Sequence, residues 1–445
     1  MTETHSDLSP DLPSVVLCGE AWGRSEANYQ HPLVGASGRE LTLQLGSSGL
    51  CPYMQLLCRK CKYETDFTNG HCARCGEYCW PTELSLIHHW KTLRDRHNIY
   101  VTNVFNEHPP EICNNCGSRN ISLFGKMTCN ECNSRDVRSN DLGHFFSTER
   151  QTEMPPWKAS QNTRGTHVKE IYFRTHIRRL WRELDELNPS LVIAMGNAAC
   201  WALLGQTKIS VLRGTISRTN QALTSLDFKV LPVFHPAAIL RNMKLRTTTI
   251  ADYQKAARER TFRETRRPER LITVPHPSAS GLDEIRTWIR ANRFRRLASD
   301  IETIRGTISI VGFSPDSFSS LVVPFRDAHT KDGRIIDVGK IARSLGIADG
   351  GINFWPTAEL ETLAWKLIRE IQEGPSEKIF QNGLYDISHL MKMGIQVRNA
   401  RHDTMLWHHS RYPELPKSLG YLGSLYSNDI AWKQMTRSEN LKRDE

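Results

Sequence analysis

Eight of the chain's 12 cysteines fall into four C-x2-C pairs: Cys58 with Cys61, Cys72 with Cys75, Cys113 with Cys116 and Cys129 with Cys132. Ten residues separate the first two pairs and twelve separate the last two, the spacing of zinc ribbons. A C-x2-C turn aims two thiolates at one ion, and two such knuckles close the tetrahedral shell of a structural zinc. Gly76 and Gly117, each directly after a second cysteine, suit that tight turn. Two structural Zn2+ ions are expected. A four-cysteine iron–sulfur cluster is the rival, and free thiols or disulfides are the alternative that a reducing compartment disfavours. Cys51, Cys79 and His71 are spare donors able to replace a ligand of the first set, whereas Cys18 and Cys200 sit in apolar runs and read as buried packing.

Acids supply a second chemistry. Asp300-Ile-Glu302 lies in a strand-like run, where residues two apart face the same side. Asp386, four positions after Asn382, opens a predicted helix and adds a third carboxylate. Carboxylates grouped in this way can hold paired Mg2+ or Mn2+ ions that activate water and stabilise a leaving oxygen; surface acids on a strand and a helix cap are the plain alternative. A third set is polar and mixed: Gly19-Glu20, Asn103, Gly196-Asn197 and His235-Pro236 each lie at or just past the end of a short apolar run.

Those runs, Val15–Cys18, Ile99–Phe105, Leu191–Met195 and Val230–Phe234, read as buried parallel strands. Between the second and third, apolar residues from Val168 to Leu187 recur at helical spacing and stop at Asn188-Pro189. Alternating strands and helices imply an open α/β sheet, which binds ligands beyond the carboxyl ends of its strands, where the Glu, the Asn and the His all fall. Residues 255–270 are mostly charged and mark the best boundary in the chain. Beyond it Arg295–Thr303, Thr307–Ser314 and Ser319–Phe325 read as an antiparallel meander, followed by a helix over Glu359–Gln372, a strand at Lys378–Gln381 and a helix over Leu384–Met393.

Gly19-Glu20-Ala21-Trp22-Gly23-Arg24-Ser25-Glu26 with Pro32-Leu33-Val34-Gly35-Ala36-Ser37-Gly38 resembles the first motif of the family 4-like uracil-DNA glycosylases, G-E-x-P-G-x-x-E followed by P-F-V-G-x-x-G. Tyr100 to Val104 with Pro109-Pro110 resembles that family's second block, Leu191 to Asn197 its third, and His235-Pro-Ala-Ala-Ile-Leu240-Arg241 its H-P-x-x-x-L-R block. The resemblance implies removal of a flipped base by C–N cleavage through an oxocarbenium-like sugar. It implies that Glu20 positions water, Asn103 reads the base edge and His235 stabilises the departing base anion. Asn197 is implied as a base or DNA contact, with Leu240 and Arg241 entering the gap left in the duplex. Trp22 stands where the pattern has proline, and Leu33 where it has the phenylalanine on which uracil stacks, a contact worth about 1–3 kcal/mol. The family's early cysteine pair for an iron–sulfur cluster is absent, and the ribbons enter as insertions after the first block and after Pro110.

Asp300, Glu302, Asn382 and Asp386 resemble the D-x-E and N-x-x-x-D motifs of the DnaQ-like 3′–5′ exonucleases that proofread for DNA polymerases. Asp403-Thr404, Pro413 to Tyr426 and Trp432-Lys433 are similar to the stretch before the third motif in phage family A polymerases, yet no Y-x-x-x-D or H-x-x-x-x-D follows Asp403; Asp429 and Asp444 are candidates for the missing fourth acid by type alone. The resemblance implies an incomplete exonuclease module from a truncated or split phage polymerase gene, its missing acid carried by a polymerase polypeptide encoded downstream.

The expected architecture is therefore an α/β chain: a uracil-DNA-glycosylase-like open parallel sheet over residues 1–262, with zinc-ribbon insertions at about 51–80 and 111–135, a charged linker at 263–270, and an RNase H-like mixed-sheet exonuclease domain over 271–445. A net charge of +10 suits DNA as the partner. With 39% hydrophobic residues, no run near the ~20 apolar residues of a membrane span and no secretory leader in Met1 to Pro10, a membrane partner is excluded and the cytoplasm, or that of a phage-infected host, is the expected location. The expected activity is excision of uracil or a related base, with a Mg2+-dependent exonuclease-like module attached. The alternative is the N-terminal part of a split phage DNA polymerase in which the glycosylase fold mainly docks DNA.

Overall fold

The computed structural model describes residues 14–68, 70–122, 127–138, 142–158, 165–304, 306–327 and 352–429. The leader reading of Met1 to Pro10 and the expectations placed on Trp432, Lys433 and Asp444 lie outside the described residues. The described residues form two compact units, the first made of those between 14 and 266 together with 420–429, the second of those between 267 and 419.

In the first unit, strands β1 (Val15–Ala21), β2 (Ile99–Phe105), β3 (Leu191–Met195), β4 (Ser217–Arg218) and β5 (Lys229–Val233) make one sheet in the order β4-β5-β3-β1-β2. All neighbours are parallel except β4 with β5. The apolar runs are strands because both sheet faces are covered: β3 and β5 are buried at every position. Alternate residues feed two cores. Val15 and Leu17 join Leu41, Leu45, Trp90 and Tyr253 on one face, while Val16 and Cys18 join Leu180, Leu184 and Trp201 on the other. The helices that cover the faces are α1 (Ala36–Ser48), α2 (Glu83–His97), α3 (Arg178–Leu187) and α4 (Gly196–Leu204), with α5 (Pro236–Arg241) and α6 (Leu245–Glu259) after β5. The long helix read between β2 and β3 is present, but a π-helical turn at Phe173–Ile177 precedes α3, and Asn188, with φ 42°, ends it.

The sheet reverses direction of growth at β1, flanked by β2 and β3, and such switch points open a crevice at the carboxyl ends. Register brings the polar ends level, because Gly19 pairs with Asn103, Cys18 with Ala194 and Met195 with Val233.

In the second unit a six-stranded sheet runs β6 (Leu271–Thr273), β9 (Ser319–Pro324), β8 (Thr307–Ser314), β7 (Leu297–Ile304), β10 (Lys378–Phe380), β11 (Ala400–Asp403). The meander β7-β8-β9 is antiparallel as expected, and β10 and β11 add in parallel beside β7. Setting β6 aside, this 3-2-1-4-5 order with an antiparallel second strand is the RNase H-like order. Helices α7 (Ala279–Asn292) and α8 (Ala358–Glu373) supply Leu282, Ile285, Ala364 and Ile368 to its core; α9 (Leu384–Lys392) and α10 (Thr404–Arg411) follow β10 and β11.

Two boundaries differ from the sequence reading. The start of the charged linker packs on the first unit: Lys229 Nζ donates to the Phe262 and Glu264 carbonyls, and Arg263 to the Asn188 carbonyl. The C-terminal segment, read as part of the exonuclease domain, returns to the first unit through helix α11 (Leu419–Tyr426). Spacing in sequence carries no signal of that return, because the groups it meets lie on α6 and beside β5.

Candidate functional site

Glu20 is the last residue but one of β1, Asn103 sits within β2, and His235 follows β5 as the N-cap of α5. They converge around two glycines. A Cβ on Gly19 would lie 2.1 Å from Asn103 Oδ1 and 3.6 Å from His235 Nε2, and one on Gly196, at φ 86°, would lie 2.6 Å from Glu20 Oε1 and 3.1 Å from His235 Cβ. Any side chain at either position would fill the space between the three functional groups.

The groups are left ready for a ligand. Asn103 is 1% exposed, yet among the described residues neither Oδ1 nor Nδ2 of its side chain has a partner, a condition that buried amides rarely show without a purpose. Its strand end is held from behind: Arg179 donates to the Asn103 and Val104 carbonyls and pairs with Glu183 at 2.6 Å. Ala237 N–H donates to His235 Nδ1 at 3.3 Å, which leaves the proton of a neutral imidazole on Nε2, the nitrogen that faces Gly19. Burial lowers the His235 pKa below its ordinary value against the opposing pull of Glu20, and Arg241 pushes it the same way as burial, so the ring is neutral at pH 7.

Glu26 holds the loop that follows Glu20. Its carboxylate accepts from Gly23 N–H and, at 2.6 Å, from Leu33 N–H, and burial raises its pKa against those two bonds. Leu33 adopts φ 57° and is buried in the first core, its carbonyl accepting from Trp90 Nε1 at 2.9 Å. Gly38 is required because a Cβ there would sit 1.7 Å from that carbonyl. Leu240 is 45% exposed beside an exposed Arg241, and Met243, at 50%, extends the same apolar rim, which sequence reading missed. Asn197, expected to touch base or DNA, accepts from Ile209 N–H through Oδ1 at 2.9 Å and ties α4 to the following turn. Trp22 keeps a buried indole Nε1 with no partner among the described residues.

Both cysteine sets gather as expected, and among the described residues only these two groups bring three or more candidate ligand atoms within 4.8 Å of one another. Sγ–Sγ separations are 3.6 Å for Cys58–Cys75 and Cys61–Cys72, and 3.5 Å for Cys113–Cys132 and Cys116–Cys129. A disulfide needs about 2.05 Å; a tetrahedron with Zn–S near 2.3 Å has edges of about 3.8 Å. The tetrads fit the ion. The residue after each second cysteine, Lys62, Gly76, Gly117 or Asn133, is left-handed and donates its N–H to the first cysteine's carbonyl at 2.9–3.0 Å. Backbone N–H groups of Cys61 and Lys60, against the opposing effect of burial, pull the Cys58 thiol down to about 6, and those of Cys116 and Asn115, with the Cys132 thiol, do the same for Cys113. Cys51, Cys79 and His71 stay outside the tetrads, and Cys18 and Cys200 are buried in the core.

In the second unit Asp300 and Glu302 point to the open face of β7 while Ile301 between them is buried. Asp386, 4% exposed, accepts from Ile301 N–H at 2.9 Å, which brings the third acid beside the pair. Burial raises its pKa against its backbone hydrogen bonds, and the like charges of Asp403 and Glu302 raise it further. Among the described residues the three carboxylates do not gather as tightly as the cysteine sets. Asp403 caps α10, accepting from Met405 and, across the sheet end, from Gly383 N–H at 2.8 Å. Asp429 belongs to the first unit.

An open parallel sheet presenting a carboxylate, an unpaired amide and a neutral imidazole at its switch point defines the first unit as an α/β domain of the glycosylase kind. The chain belongs to the uracil DNA glycosylase superfamily, whose model matches residues 6–259. A DNA polymerase of Bacillus phage SP01 is 22% identical over 266 residues, 57% of this chain and 26% of that protein, so the chain spans about a quarter of the length of that relative. Among solved structures it is similar to the EXD2 exonuclease domain soaked in Mn and GMP, with 16% identity, a TM-score of 0.21, and coverage of 38% of this chain and 78% of that one. The same domain soaked in Mg is 15% identical, with a TM-score of 0.20 and coverage of 38% and 77%. The second unit's fold rests on its own strand order.

Proposed function

We propose that the first unit hydrolyses the N-glycosidic bond of uracil or a related base in DNA. The observation that carries this reading is the Asn103 amide, buried with both polar atoms unpaired beside Glu20 and His235. A pyrimidine edge offers a carbonyl and an N–H to such an amide. As the C–N bond breaks, negative charge grows on the base and positive charge on the sugar. A neutral His235 donates from Nε2 to the base oxygen without a protonation step, and the Glu20 carboxylate orients water and faces the developing cation. Bare Gly19 and Gly196 let the substrate approach the sheet end. Leu240, Arg241 and Met243 form the exposed rim that would occupy the space of the flipped nucleotide. The basic balance of the chain favours DNA as partner, and the phage relative favours the cytoplasm of an infected cell.

The cysteine tetrads would hold two structural zinc ions, bracing the insertions. Asp300, Glu302 and Asp386 would hold Mg2+ or Mn2+, whose chemistry is water activation for 3′–5′ trimming. A second reading, that the chain is the front of a split phage polymerase and its glycosylase fold docks DNA, is favoured by Leu33 standing where an aromatic platform is usual and by the polymerase relative. Incubation with a uracil-containing oligonucleotide, with and without EDTA, separates the two. Abasic sites forming at the same rate in EDTA support excision, and none forming in either buffer supports docking.

A further inference from the structure

The first ribbon has two unlike faces. Its inner residues Leu56, Cys58, Phe67 and Cys72 are buried in the same core as Leu45, Trp90 and Tyr253, so this insertion is a fixed part of the first unit. Its outer face carries three exposed aromatic rings: Tyr63, Tyr78 and Trp80 are 44%, 60% and 49% exposed, Trp80 meeting the core ring of Phe67 edge-on at 5.5 Å. Tyr78 and Trp80 flank the buried Cys79, so they point the same way; their centroids are 5.7 Å apart and their planes differ by 9°. Gly70, at φ 81°, lies close beneath them, since a Cβ there would meet Tyr78 at 3.5 Å and Trp80 at 3.9 Å. The Arg39 guanidinium sits 5.6 Å from the Trp80 centroid, leaving Tyr78 as the more exposed ring of the stack. Arg39 lies on α1, which starts directly after the Pro32–Gly35 loop of the candidate site.

The charge around these rings matches phosphate. Arg74 lies 5.9 Å from the Tyr63 centroid and Lys62 is exposed beside it. Two of the nearby acids are engaged, Glu77 with Lys60 at 3.7 Å and Asp66 with Gln55. Parallel exposed rings with interleaved cations are what a single strand requires: every base has a face to stack, and the cations follow the backbone. A duplex keeps its base faces covered. We propose that the outer face of the first ribbon is a single-strand platform, on which an unpaired DNA base stacks against Tyr78 while Arg74 and Lys62 meet its phosphates.

The proposal goes beyond base excision and does not require it. The test is a fluorescence-anisotropy titration of the full chain with a short, uracil-free thymidine oligonucleotide, single-stranded and as a duplex. Tyr78→Ala should weaken single-strand binding about tenfold and Tyr78→Phe by less than about twofold, with duplex binding unchanged. Arg74→Gln should lower the slope of log affinity against log salt by about 0.7. Zinc content reports whether the ribbon is intact, and Tyr63→Ala reads the same face should Tyr78→Ala lose metal. Single-strand affinity unchanged in both alanine variants, or an equal loss for the duplex, would overturn the proposal. Because the oligonucleotide offers no excisable base, the result is independent of whether the chain excises uracil.

Discussion

Ending the chain at Leu419 should destabilise the first unit by about 2–3 kcal/mol, although the deletion lies far in sequence from its sheet. The removed segment meets a buried charge network: Arg213 pairs with Asp252 at 2.8 Å, and Lys255 is 3% exposed with Gly214 O at 2.7 Å. Onto this network the segment brings Ser424 Oγ, 2.7 Å from Arg213, the Ser427 carbonyl, 2.7 Å from Lys255, the Ser424 carbonyl on the same amine, and Asn428, 2.8 Å from Glu259. Four hydrogen bonds to charged groups supply about 8 kcal/mol at about 2 each. Burial of Leu422 and part of Tyr421 adds about 3. Ordering roughly nine residues opposes this by about 9. Hydrogen-exchange mass spectrometry separates the two units, so the readout is protection of the peptides spanning Val15–Ala21 and Leu191–Met195. It should fall between about 30- and 150-fold, since each 1.4 kcal/mol is tenfold. Protection within threefold of the full chain, or a loss confined to residues touching the segment, would refute the reasoning.

Cys58→Ser should remove one of two zinc ions per chain and loosen the first ribbon while the second keeps its metal, as elemental analysis would show; iron with visible absorbance would point to a cluster instead. Burial lowers the His89 pKa from 6.5 to about 4, so the unfolded chain binds its proton first on acidification. Stability is then full above pH 6.5 and is lost as pH falls toward 4, by about 2–3 kcal/mol at pH 4.5 from this residue. His89→Gln should flatten that part of the melting profile, and an unchanged acid slope would contradict the assignment. Mg2+-dependent trimming of single-stranded DNA by this chain should be weak, because three acids neutralise two divalent ions poorly; robust trimming abolished by Asp300→Ala would reverse that expectation.

Eight of the eleven strands of the two sheets were legible because buried parallel strands are continuous apolar runs and the meander alternates, whereas the short β4, β6 and β11 carry no such run. Glu20, Asn103 and His235 were legible as polar residues ending such runs, and the four cysteine knuckles by spacing alone. What stayed hidden depends on contacts between distant residues. The Ala237 N–H on His235, the Glu26 clamp on Leu33 and the use of Asn197 by Ile209 are side-chain bonds to backbone, which leave no periodic trace. The return of the C-terminal segment was hidden for the same reason, since Ser424 meets Arg213 across 211 positions and contributes only a hydroxyl and a carbonyl. The Tyr78–Trp80 stack needed the left-handed Gly70 beneath it to be seen as a surface.

The central claim is that Glu20, Asn103 and His235 form a base-excision site, and the most direct measurement is single-turnover abasic-site formation on a uracil-containing oligonucleotide in EDTA. Wild-type chain should produce abasic sites, Glu20→Gln and His235→Ala should slow production at least tenfold with little change in DNA affinity, since both groups act on the transition state, and Asn103→Ala should lose selectivity for the base. Equal rates in wild type and the Glu20 variant, or no abasic sites from any of them, would contradict the account.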